Sequence, residues 1–246
     1  MTVKEPVLIF GGSGGVGSAL ARNLAGKGIP VHLLGRDPAR LESVASEIGG
    51  VPTTSVDVND GEALTNAVKA AAGDEGGLAG VAYCVGSIVL KPLKRTTEQD
   101  FLDSFRLNAL GAALAVQAAE PALRRAGGSV VLFSTIAAGS GFPNHTVTAA
   151  AKGAVEALTR SLAADLAPDA RVNCIAPSLL RTPLARSFTG NEVMAKSIAQ
   201  LHPVPRLGEA EDAAALAAFL LSSESSWVSG QVIPLDGGRG TLRVKG

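Results

Sequence analysis

The segment Phe10-Gly-Gly-Ser-Gly-Gly-Val-Gly17 connects an apolar run, Val7–Phe10, to a helical pattern rich in alanine and leucine. Three of its glycines have the spacing G-x-x-x-G-x-G. Such glycines allow a tight turn and a close approach of the backbone to a pyrophosphate, and the N–H groups at the start of the helix then face the anion. Because the segment lies between a predicted strand and a predicted helix, we interpret it as a dinucleotide-binding loop rather than a flexible turn. The predicted contacts are Gly11, Ser13, Gly15, Val16 and Gly17.

The composition is that of a water-soluble globular chain, since 46% of its 246 residues are hydrophobic and 18% are charged. The 22 basic and 22 acidic side chains cancel, which argues against nucleic acid or an anionic membrane as a partner, because both require clustered positive charge. Cys84 and Cys174 are too few for a disulfide framework and lack metal-ligand spacing. No apolar segment reaches the roughly 18 residues of a membrane span, and the start shows no signal segment. We therefore expect a cytoplasmic protein that binds no nucleic acid, membrane or metal.

Short apolar runs alternate with longer helical patterns along the chain. Most runs are unbroken, which is typical of strands buried on both faces of a parallel sheet. The predicted strands are Val7–Phe10, Val31–Leu34, Thr53–Val56, Val81–Tyr83, Ser129–Phe133, Arg171–Ile175 and Gln231–Leu235. The predicted helices are Val16–Lys27, Ala39–Ile48, Gly61–Ala72, Glu98–Arg125, Val147–Leu166 and Ala210–Ser222. The sequence therefore predicts a single-domain α/β fold, a Rossmann-type doubly wound sheet of about seven mostly parallel strands with helices on both faces.

One stretch departs from this alternation, because Pro183, Gly190, Pro203 and Pro205 interrupt it. An insertion of this kind is typical of a mobile lid over a ligand site. No linker composition divides the chain, so we predict one dinucleotide-binding domain, 1–246, with a substrate lid at about 179–205. Apolar residues of the lid are expected to line the pocket, namely Leu180, Leu184, Phe188, Val193 and Met194.

The second predicted strand ends in Leu33-Leu-Gly-Arg-Asp37. At this point of a dinucleotide-binding fold, a carboxylate binds the 2′-hydroxyl of the adenosine ribose, whereas an arginine accommodates a 2′-phosphate. Gly35 occupies the usual position of the acid and Arg36 follows it, while Asp37 precedes a proline and is predicted to cap the next helix. The pattern favours NADP(H) over NAD(H), with Arg36 as the phosphate ligand; a solvated surface charge is the alternative.

These features together resemble the short-chain dehydrogenase/reductase family over nearly the whole chain. The glycine loop matches the cofactor loop of that family, and Trp227–Gly238 matches its C-terminal strand. The resemblance implies an oxidoreductase that uses a nicotinamide cofactor. The further cofactor contacts that it implies are Asp57 for the adenine ring, Val58, Gly86, Lys152, Pro177 and Thr182.

The resemblance also assigns four catalytic positions, at Asn108, Thr135, Thr148 and Lys152. The family has the motif Tyr-x-x-x-Lys, and counting back from Lys152 places Thr148 where the tyrosine is expected. Thr135 takes the position of the family's serine, and a threonine hydroxyl can still orient a carbonyl oxygen. The chain therefore resembles a divergent member of the family that lacks the usual catalytic tyrosine.

A threonine at position 148 changes the proton chemistry. A phenol has a pKa of about 10, which neighbouring positive charge can lower, whereas an aliphatic alcohol ionises nearer to the value of water, about 16. A general acid works best near the operating pH and contributes about 10²–10⁴-fold to the rate. We therefore expect Thr148 to weaken the usual alcohol–ketone reaction without preventing cofactor binding.

Three groups can replace the phenol on the basis of the sequence. Tyr83, the only tyrosine, lies at a predicted strand end near the cofactor crevice, or is simply a packed aromatic residue. His145 lies in the loop that leads into the helix of Thr148, and imidazole exchanges protons near neutral pH; the alternative is a loop or subunit-contact residue. A water molecule held by Thr148 and Lys152 is the third possibility.

Two functions are compatible with this sequence. The first is an NADP(H)-dependent oxidoreductase that acts on a carbonyl or alcohol of a small, largely apolar substrate, with a non-standard or weakened proton donor. The second is a non-catalytic NADP(H)-binding sensor or partner subunit. A dehydratase or isomerase on the same fold has no residue that supports it. In the resembling family, the helices that correspond to Asn108–Ala119 and Ala149–Ala164 form subunit contacts, which implies a homodimer or homotetramer.

Overall fold

The computed structural model of the protein describes residues 5–73 and 75–243. Its strands are β1 Val7–Phe10, β2 Val31–Gly35, β3 Thr53–Ser55, β4 Gly80–Tyr83, β5 Ser129–Phe133, β6 Arg171–Pro177, β7 Leu180–Arg181, β8 Gly208–Glu209 and β9 Val232–Leu235. Seven of them form one sheet in the order β3-β2-β1-β4-β5-β6-β9, and β7 pairs with β8 separately. All pairs are parallel, so the predicted doubly wound α/β architecture is confirmed.

Helices follow most strands and cover both faces of the sheet. They are α1 Gly15–Gly26, α2 Pro38–Glu47, α3 Gly61–Ala72, α4 Glu98–Phe105, α5 Gly111–Ala126, α6 Ile136–Gly139, α7 Thr146–Leu166, α8 Arg186–Thr189, α9 Glu192–Ala199 and α10 Ala210–Leu221. Side-chain caps define several starts: Asp37 accepts a hydrogen bond from Arg40 N at α2, as predicted, and Asp60 accepts one from Ala63 N at α3.

The sheet separates two hydrophobic layers. Every residue of β1, β4 and β5 is buried, which matches the unbroken apolar sequence of these central strands. On one face, α3, α5 and α7 pack against alternate strand residues such as Leu8 and Val130. On the other face, α1, α2 and α10 pack against the intervening residues, such as Ile9 and Val131. The core therefore lies on both sides of the sheet and fixes the strand ends rigidly.

The structure corrects the prediction of one uninterrupted helix over Glu98–Arg125. That region contains α4, a π-helical turn at Arg106–Leu110, and then α5. The widened turn occurs at Asn108, whose side-chain amide donates to Ser104 O at 2.8 Å inside the helix. Such π-turns are frequent at functional sites, and the hydrophobic pattern of the helix gives no sign of them. Elsewhere the predicted elements are correct to within one or two residues.

The strand order places a crevice beside the glycine loop. Because β1 lies between β2 and β4, the connections on the two sides of β1 run in opposite directions, which opens a space at the carboxyl ends of β1 and β4. The loop that follows β1 crosses this space, where Gly11 N donates to Leu34 O at 2.8 Å. The first residue after β4 is held alongside, since Cys84 N donates to Phe10 O at 2.9 Å.

Candidate functional site

A cleft of about 310 Å³ opens at the carboxyl ends of the central strands. Its walls come from the loops after β4, β5 and β6, from the start of α7 and from the 179–205 segment. Seven of the predicted site residues line this cleft: Val16, Gly86, Thr135, Thr148, Lys152, Pro177 and Thr182. The others lie outside its lining, namely Gly11, Ser13, Gly15, Gly17, Arg36, Asp57, Val58 and Asn108.

The glycine loop presents an open helix terminus to the crevice. Helix α1 begins at Gly15, and neither a side-chain cap nor an acidic residue in the first turn satisfies its N–H groups. Gly11 adopts φ +73°, and a Cβ atom on Gly17 would collide with Gly11 O, so this turn requires glycine at both positions. The free N–H groups and the helix dipole suit a pyrophosphate. The geometry is therefore compatible with the dinucleotide predicted from the sequence.

Two guanidinium groups lie beside this loop. The exposed Arg36 directly follows β2, and Arg40 lies in the first turn of α2. Arg40 donates to Ser13 O at 3.0 Å, which brings its positive charge to the glycine loop. In the residues that the structure describes, no side-chain or backbone acceptor binds the Arg36 guanidinium. Both charges are thus available to an anion at the end of β2.

The loop after β3 contains the predicted adenine contact. Asp57 is exposed, and its Oδ1 atom accepts a hydrogen bond from Asn59 N at 2.9 Å. This bond fixes the carboxylate and leaves Oδ2 accessible. Val58 is buried beneath it in the hydrophobic layer shared with α3. The two residues therefore form a rigid edge at the carboxyl end of β3.

Lys152 is a buried cation in the wall of the cleft. Its Nζ atom donates to Phe133 O at 2.8 Å. Burial lowers the pKa of Lys152 to about 8. Burial also raises the pKa of the nearby Cys84 and Cys174 thiols to about 12, so both are neutral at physiological pH. Cys174 is buried in the core, whereas Cys84 lines the cleft because it directly follows β4.

Thr135 and Ser134 are neighbouring hydroxyls with different roles. Ser134 is buried, and its one hydroxyl hydrogen is shared between Glu156 Oε1 at 2.8 Å and Lys152 O at 3.1 Å, so α7 occupies its hydroxyl. Thr135 caps α6 by accepting from Ala137 N at 3.3 Å. Within the described chain its own hydroxyl hydrogen has no acceptor, and the side chain faces the cleft. Thr135 is therefore the residue of this pair that can donate to a bound oxygen.

Asn108 forms hydrogen bonds to the loop after β4. Its Nδ2 atom donates to Ser87 Oγ at 3.1 Å, and its Oδ1 atom accepts from Ser87 N at 3.4 Å. A Cβ atom on the adjacent Gly86 would lie 3.0 Å from Asn108 Oδ1 and 3.1 Å from Lys152 Nζ. A side chain at position 86 would thus press on these two polar groups. The buried asparagine shapes the cleft wall through this loop.

Thr148 contacts the same loop from α7. Its Oγ1 atom accepts from Val89 N at 3.0 Å and donates to Val89 O at 2.9 Å. The residue is buried, and its single hydroxyl hydrogen is used by this backbone carbonyl. The loop therefore occupies the space next to position 148 and takes up the hydrogen-bonding capacity of the side chain.

The two other candidate proton donors lie in very different places. Tyr83 is buried between the sheet and α5, its hydroxyl donates to Leu107 O at 2.8 Å, and burial raises its pKa, so the packed-aromatic interpretation is confirmed. His145 lines the cleft. Its Nδ1 atom lies 2.7 Å from Pro143 O, which orients the ring, and Nε2 has no hydrogen-bond partner among the described residues. Only the histidine can reach a molecule in the cleft.

Comparison with known proteins identifies the family to which this chain belongs. A family model described as Enoyl-(Acyl carrier protein) reductase matches residues 11–239. A short-chain type dehydrogenase/reductase from Mycobacterium ulcerans has a similar structure, with a TM-score of 0.91 and 32% identity, covering 98% of this chain and 91% of that one. The chain belongs to the short-chain dehydrogenase/reductase family. The members of this family are oxidoreductases that bind NAD(P)(H).

Several relatives of this short-chain dehydrogenase/reductase have known names. A tropinone reductase homolog from Arabidopsis thaliana is 32% identical over 240 residues, covering 94% of this chain and 74% of the relative. L-xylulose reductase from Bos taurus is 31% identical over 237 residues, covering 94% of each chain. ElxO, solved with NADP bound, has a TM-score of 0.90 and 26% identity, covering 98% of this chain and all of its own. All three similarities extend over nearly the whole chain.

The 179–205 segment of this short-chain dehydrogenase/reductase contains β7, α8 and α9 rather than an irregular loop. Leu180, Leu184 and Phe188 line the cleft, as predicted. The prediction was wrong for Val193 and Met194, which are 80% and 45% exposed on the outer side of α9. Because an amphipathic helix buries only one face, and α9 directs Ala195 and Ala199 inwards, those two larger side chains turn to solvent.

Several site residues were not predicted from the sequence, among them Arg40, Phe142 and Arg239. Arg40 lies four positions after Arg36, in the first turn of the next helix, and that spacing was a usable signal. Phe142 and Arg239 both line the cleft, yet they are distant in sequence and belong to no motif. The structure also shows that no helix in the described part of the chain is long and apolar enough to cross a membrane.

Proposed function

We propose that this chain is an NADP(H)-dependent oxidoreductase acting on a carbonyl or alcohol of a small, largely apolar substrate. The observation that carries the proposal is that Lys152 Nζ and the free hydroxyl of Thr135 share one cleft, next to the uncapped start of α1. NADP(H), when bound, supplies or accepts the hydride. The apolar lining from residues such as Ile88, Leu184 and Phe188 supports a largely apolar substrate.

The residues around the crevice have distinct proposed binding roles. The N–H groups of the first turn of α1 bind the pyrophosphate, and Arg36 and Arg40 bind the 2′-phosphate. Asp57 and Val58 contact the adenine. On the cleft side, the proposed contacts to the nicotinamide half are Gly86, Lys152, Pro177 and Thr182. The two guanidinium groups at the end of β2 support NADP(H) over NAD(H).

Thr135 and Lys152 have the central roles beside the reacting carbon. The Thr135 hydroxyl donates to the substrate oxygen and holds it in place, where preformed donors stabilise developing negative charge. Lys152 binds the nicotinamide ribose and adds positive charge to the same wall. Asn108 is a positioning residue, because it acts through Ser87 and Gly86 on the shape of that wall.

The proton donor is the unusual part of the proposed mechanism. Thr148 occupies the position of the expected tyrosine, and its hydroxyl hydrogen already bonds to Val89 O. We propose that His145 supplies the proton, because its Nδ1 is oriented by Pro143 O and its Nε2 is free beside the cleft. An oriented imidazole is the commonest general acid in enzymes and contributes about 10²–10⁴-fold.

Domain organisation and assembly are part of the same proposal. Residues 1–246 form one dinucleotide-binding domain, in which the 179–205 segment acts as a lid over the substrate. The chain acts as a homodimer or homotetramer, which is supported by exposed apolar side chains on α4 and the π-turn, namely Leu102, Phe105 and Leu110. Size-exclusion chromatography with light scattering tests this assembly directly.

The oxidation of NADPH with a panel of ketones, aldehydes and quinones tests the proposed activity. We expect at least one class of carbonyl compound to oxidise NADPH well above the rate in buffer. Turnover at the background rate throughout the panel would overturn the proposal. A parallel calorimetric titration with NADPH and NADH shows whether the protein binds either cofactor.

The contact between Thr148 and Val89 also favours a second candidate, a non-catalytic NADP(H)-binding sensor or partner subunit. This candidate predicts tight NADPH binding without hydride transfer. Comparison of Thr148→Tyr with Thr148→Phe separates the two functions, because both variants displace the loop contact and only one restores a phenol. If the unmodified protein reduces no carbonyl compound and only the tyrosine variant does so, the result supports the sensor.

A further inference from the structure

Arg239 presents an uncompensated positive charge to the cleft. Its guanidinium carbon lies 4.8 Å from the centroid of the Phe142 ring, and this cation–π contact fixes its position. Within residues 5–73 and 75–243, no acceptor forms a hydrogen bond or ion pair with the guanidinium. Burial lowers the pKa of Arg239, and nearby Asp236 partly opposes this effect. A half-buried guanidinium with no partner of its own is available to bind an anion.

The nearby carboxylate is occupied elsewhere. Asp236 Oδ1 accepts from Gly238 N at 2.8 Å, and Asp236 Oδ2 accepts from Gly240 N at 2.7 Å. These bonds hold the carboxylate of Asp236 within the turn formed by residues 236–240. Asp236 therefore shapes the segment that carries Arg239 and does not neutralise the guanidinium by direct contact.

The charge around the cleft has one sign. Among the described residues that line it, the side chains able to carry positive charge are Lys152, Arg239 and His145, and none is an aspartate or glutamate. His145 lies next to the same aromatic ring, with centroids 5.5 Å apart from Phe142. A cleft lined by a single sign of charge concentrates molecules of the opposite sign.

Arg239 and the glycine loop follow different strands of the sheet. Arg239 follows β9, which is four strands away from β1 in the sheet order β1-β4-β5-β6-β9. At roughly 4.8 Å per strand, β1 and β9 are about 19 Å apart, which favours a ligand group other than the cofactor phosphates for Arg239. The cleft that Arg239 and Thr135 share is lined mainly by apolar residues, with Leu179, Leu184 and Phe188 among them.

We propose that the substrate carries a carboxylate, which Arg239 binds at the outer end of the cleft while the carbonyl lies beside Thr135. The substrate class is then an oxo acid or hydroxy acid with an apolar chain between its two functional groups. A planar guanidinium matches the two oxygens of a carboxylate, and Phe142 beneath it holds the plane. This inference rests on the proposed oxidoreductase function for the carbonyl, whereas the anion site depends on Arg239 alone.

The test compares pairs of ligands with the same carbon chain, one ending in a charged carboxylate and the other in a neutral amide. Levulinate and its chain-lengthened homologues are titrated by calorimetry beside their primary amides. Each titration is done with the protein saturated with NADP⁺, so that no turnover occurs, and again without cofactor. We expect the best acid to bind roughly tenfold or more tightly than its amide. Arg239→Ala should remove this difference, while Arg243→Ala, an exposed arginine of the same segment, should retain it.

Equal affinity for acid and amide in the unmodified protein overturns the inference, and so does a difference that survives Arg239→Ala. The titration with NADP⁺ alone reports on the proposed function separately. Lack of NADP⁺ binding together with an acid preference that depends on Arg239 contradicts the cofactor assignment and supports the anion site. Binding of NADP⁺ without any acid preference supports the cofactor assignment and overturns the anion site.

Discussion

Thr148 Oγ1 bonds to both the N–H and the C=O group of Val89, at 3.0 and 2.9 Å. One side chain on α7 therefore satisfies both backbone groups of one residue in the loop after β4. Asn108 makes a similar pair of contacts to Ser87 in the same loop. Two of the four predicted catalytic positions thus shape the cleft through the loop, and Thr135 and Lys152 remain free to contact ligands.

Removal of the Thr148 hydroxyl should destabilise the fold. In Thr148→Val, the two backbone groups of Val89 lose their partner in a partly buried loop, so we expect a loss of about 1–3 kcal/mol in the free energy of unfolding. Urea denaturation followed by circular dichroism measures this. Thr148→Ser keeps the hydroxyl and serves as the control. Unchanged stability of Thr148→Val would show that these hydrogen bonds do not stabilise the loop, and any loss in Thr148→Ser measures the packing of the methyl group, which valine keeps.

Alanine at two glycines of α1 should have opposite effects. A Cβ atom on Gly17 collides with Gly11 O, so Gly17→Ala should cost about 1–3 kcal/mol and weaken NADPH binding by displacing the loop. Gly26 has no atom within 4 Å of the added Cβ, so Gly26→Ala should stabilise the helix by up to about 1 kcal/mol. Thermal unfolding with and without NADPH measures both. Destabilisation by Gly26→Ala would contradict this interpretation.

The cofactor preference should depend on the two arginines at the end of β2. Charge-assisted hydrogen bonds contribute about 1.5–3 kcal/mol each, so Arg36→Ala and Arg40→Ala should each weaken NADPH binding roughly 10- to 100-fold. The affinity for NADH should remain nearly constant, because it lacks the 2′-phosphate. Fluorescence titration of both nucleotides measures this, with Arg22→Ala, whose partner is Glu47, as the control. Equal affinities of the unmodified protein for both cofactors argue against an arginine-bound phosphate.

Cofactor binding should take up a proton at Lys152 in alkaline solution. Burial lowers its pKa to about 8 in the free protein, so just above that pH part of the ammonium has lost its proton. The anionic cofactor favours the charged form and raises the pKa again, and the affinity for NADPH should therefore fall as the pH rises through 8. Calorimetry in two buffers of different ionisation enthalpy counts the protons taken up. Lys152→Met should abolish the uptake; uptake that persists in this variant locates the proton elsewhere.

The role proposed for His145 has a distinct kinetic signature. In His145→Asn, the shorter amide can still donate to Pro143 O, but no group remains in place of Nε2. We expect turnover of the best carbonyl substrate to fall about 10²–10⁴-fold and NADPH binding to remain unchanged. A variant with full turnover would show that the proton comes from another source.

The alternation of apolar runs and helical patterns by itself determined the seven parallel strands, the glycine loop between β1 and α1, and the cap at Asp37. These features depend on contacts between residues close in sequence, on the period of burial, and on glycines such as Gly11, whose backbone conformation few other residues adopt. The resemblance to the short-chain dehydrogenase/reductase family, rather than this local information, predicted site roles for Thr135 and Lys152. The same resemblance predicted that Thr148 stands where that family has a tyrosine.

Only the tertiary structure decided what these side chains contact. The bond between Thr148 and Val89 spans 59 positions, and Arg239 meets Phe142 from a segment about a hundred residues away. No periodicity or spacing encodes such pairs, because the packing of helices and loops around the sheet brings them together after the local elements have formed. For the same physical reason, the sequence indicated the cofactor crevice, whereas the folded chain revealed that Arg239 lines the cleft.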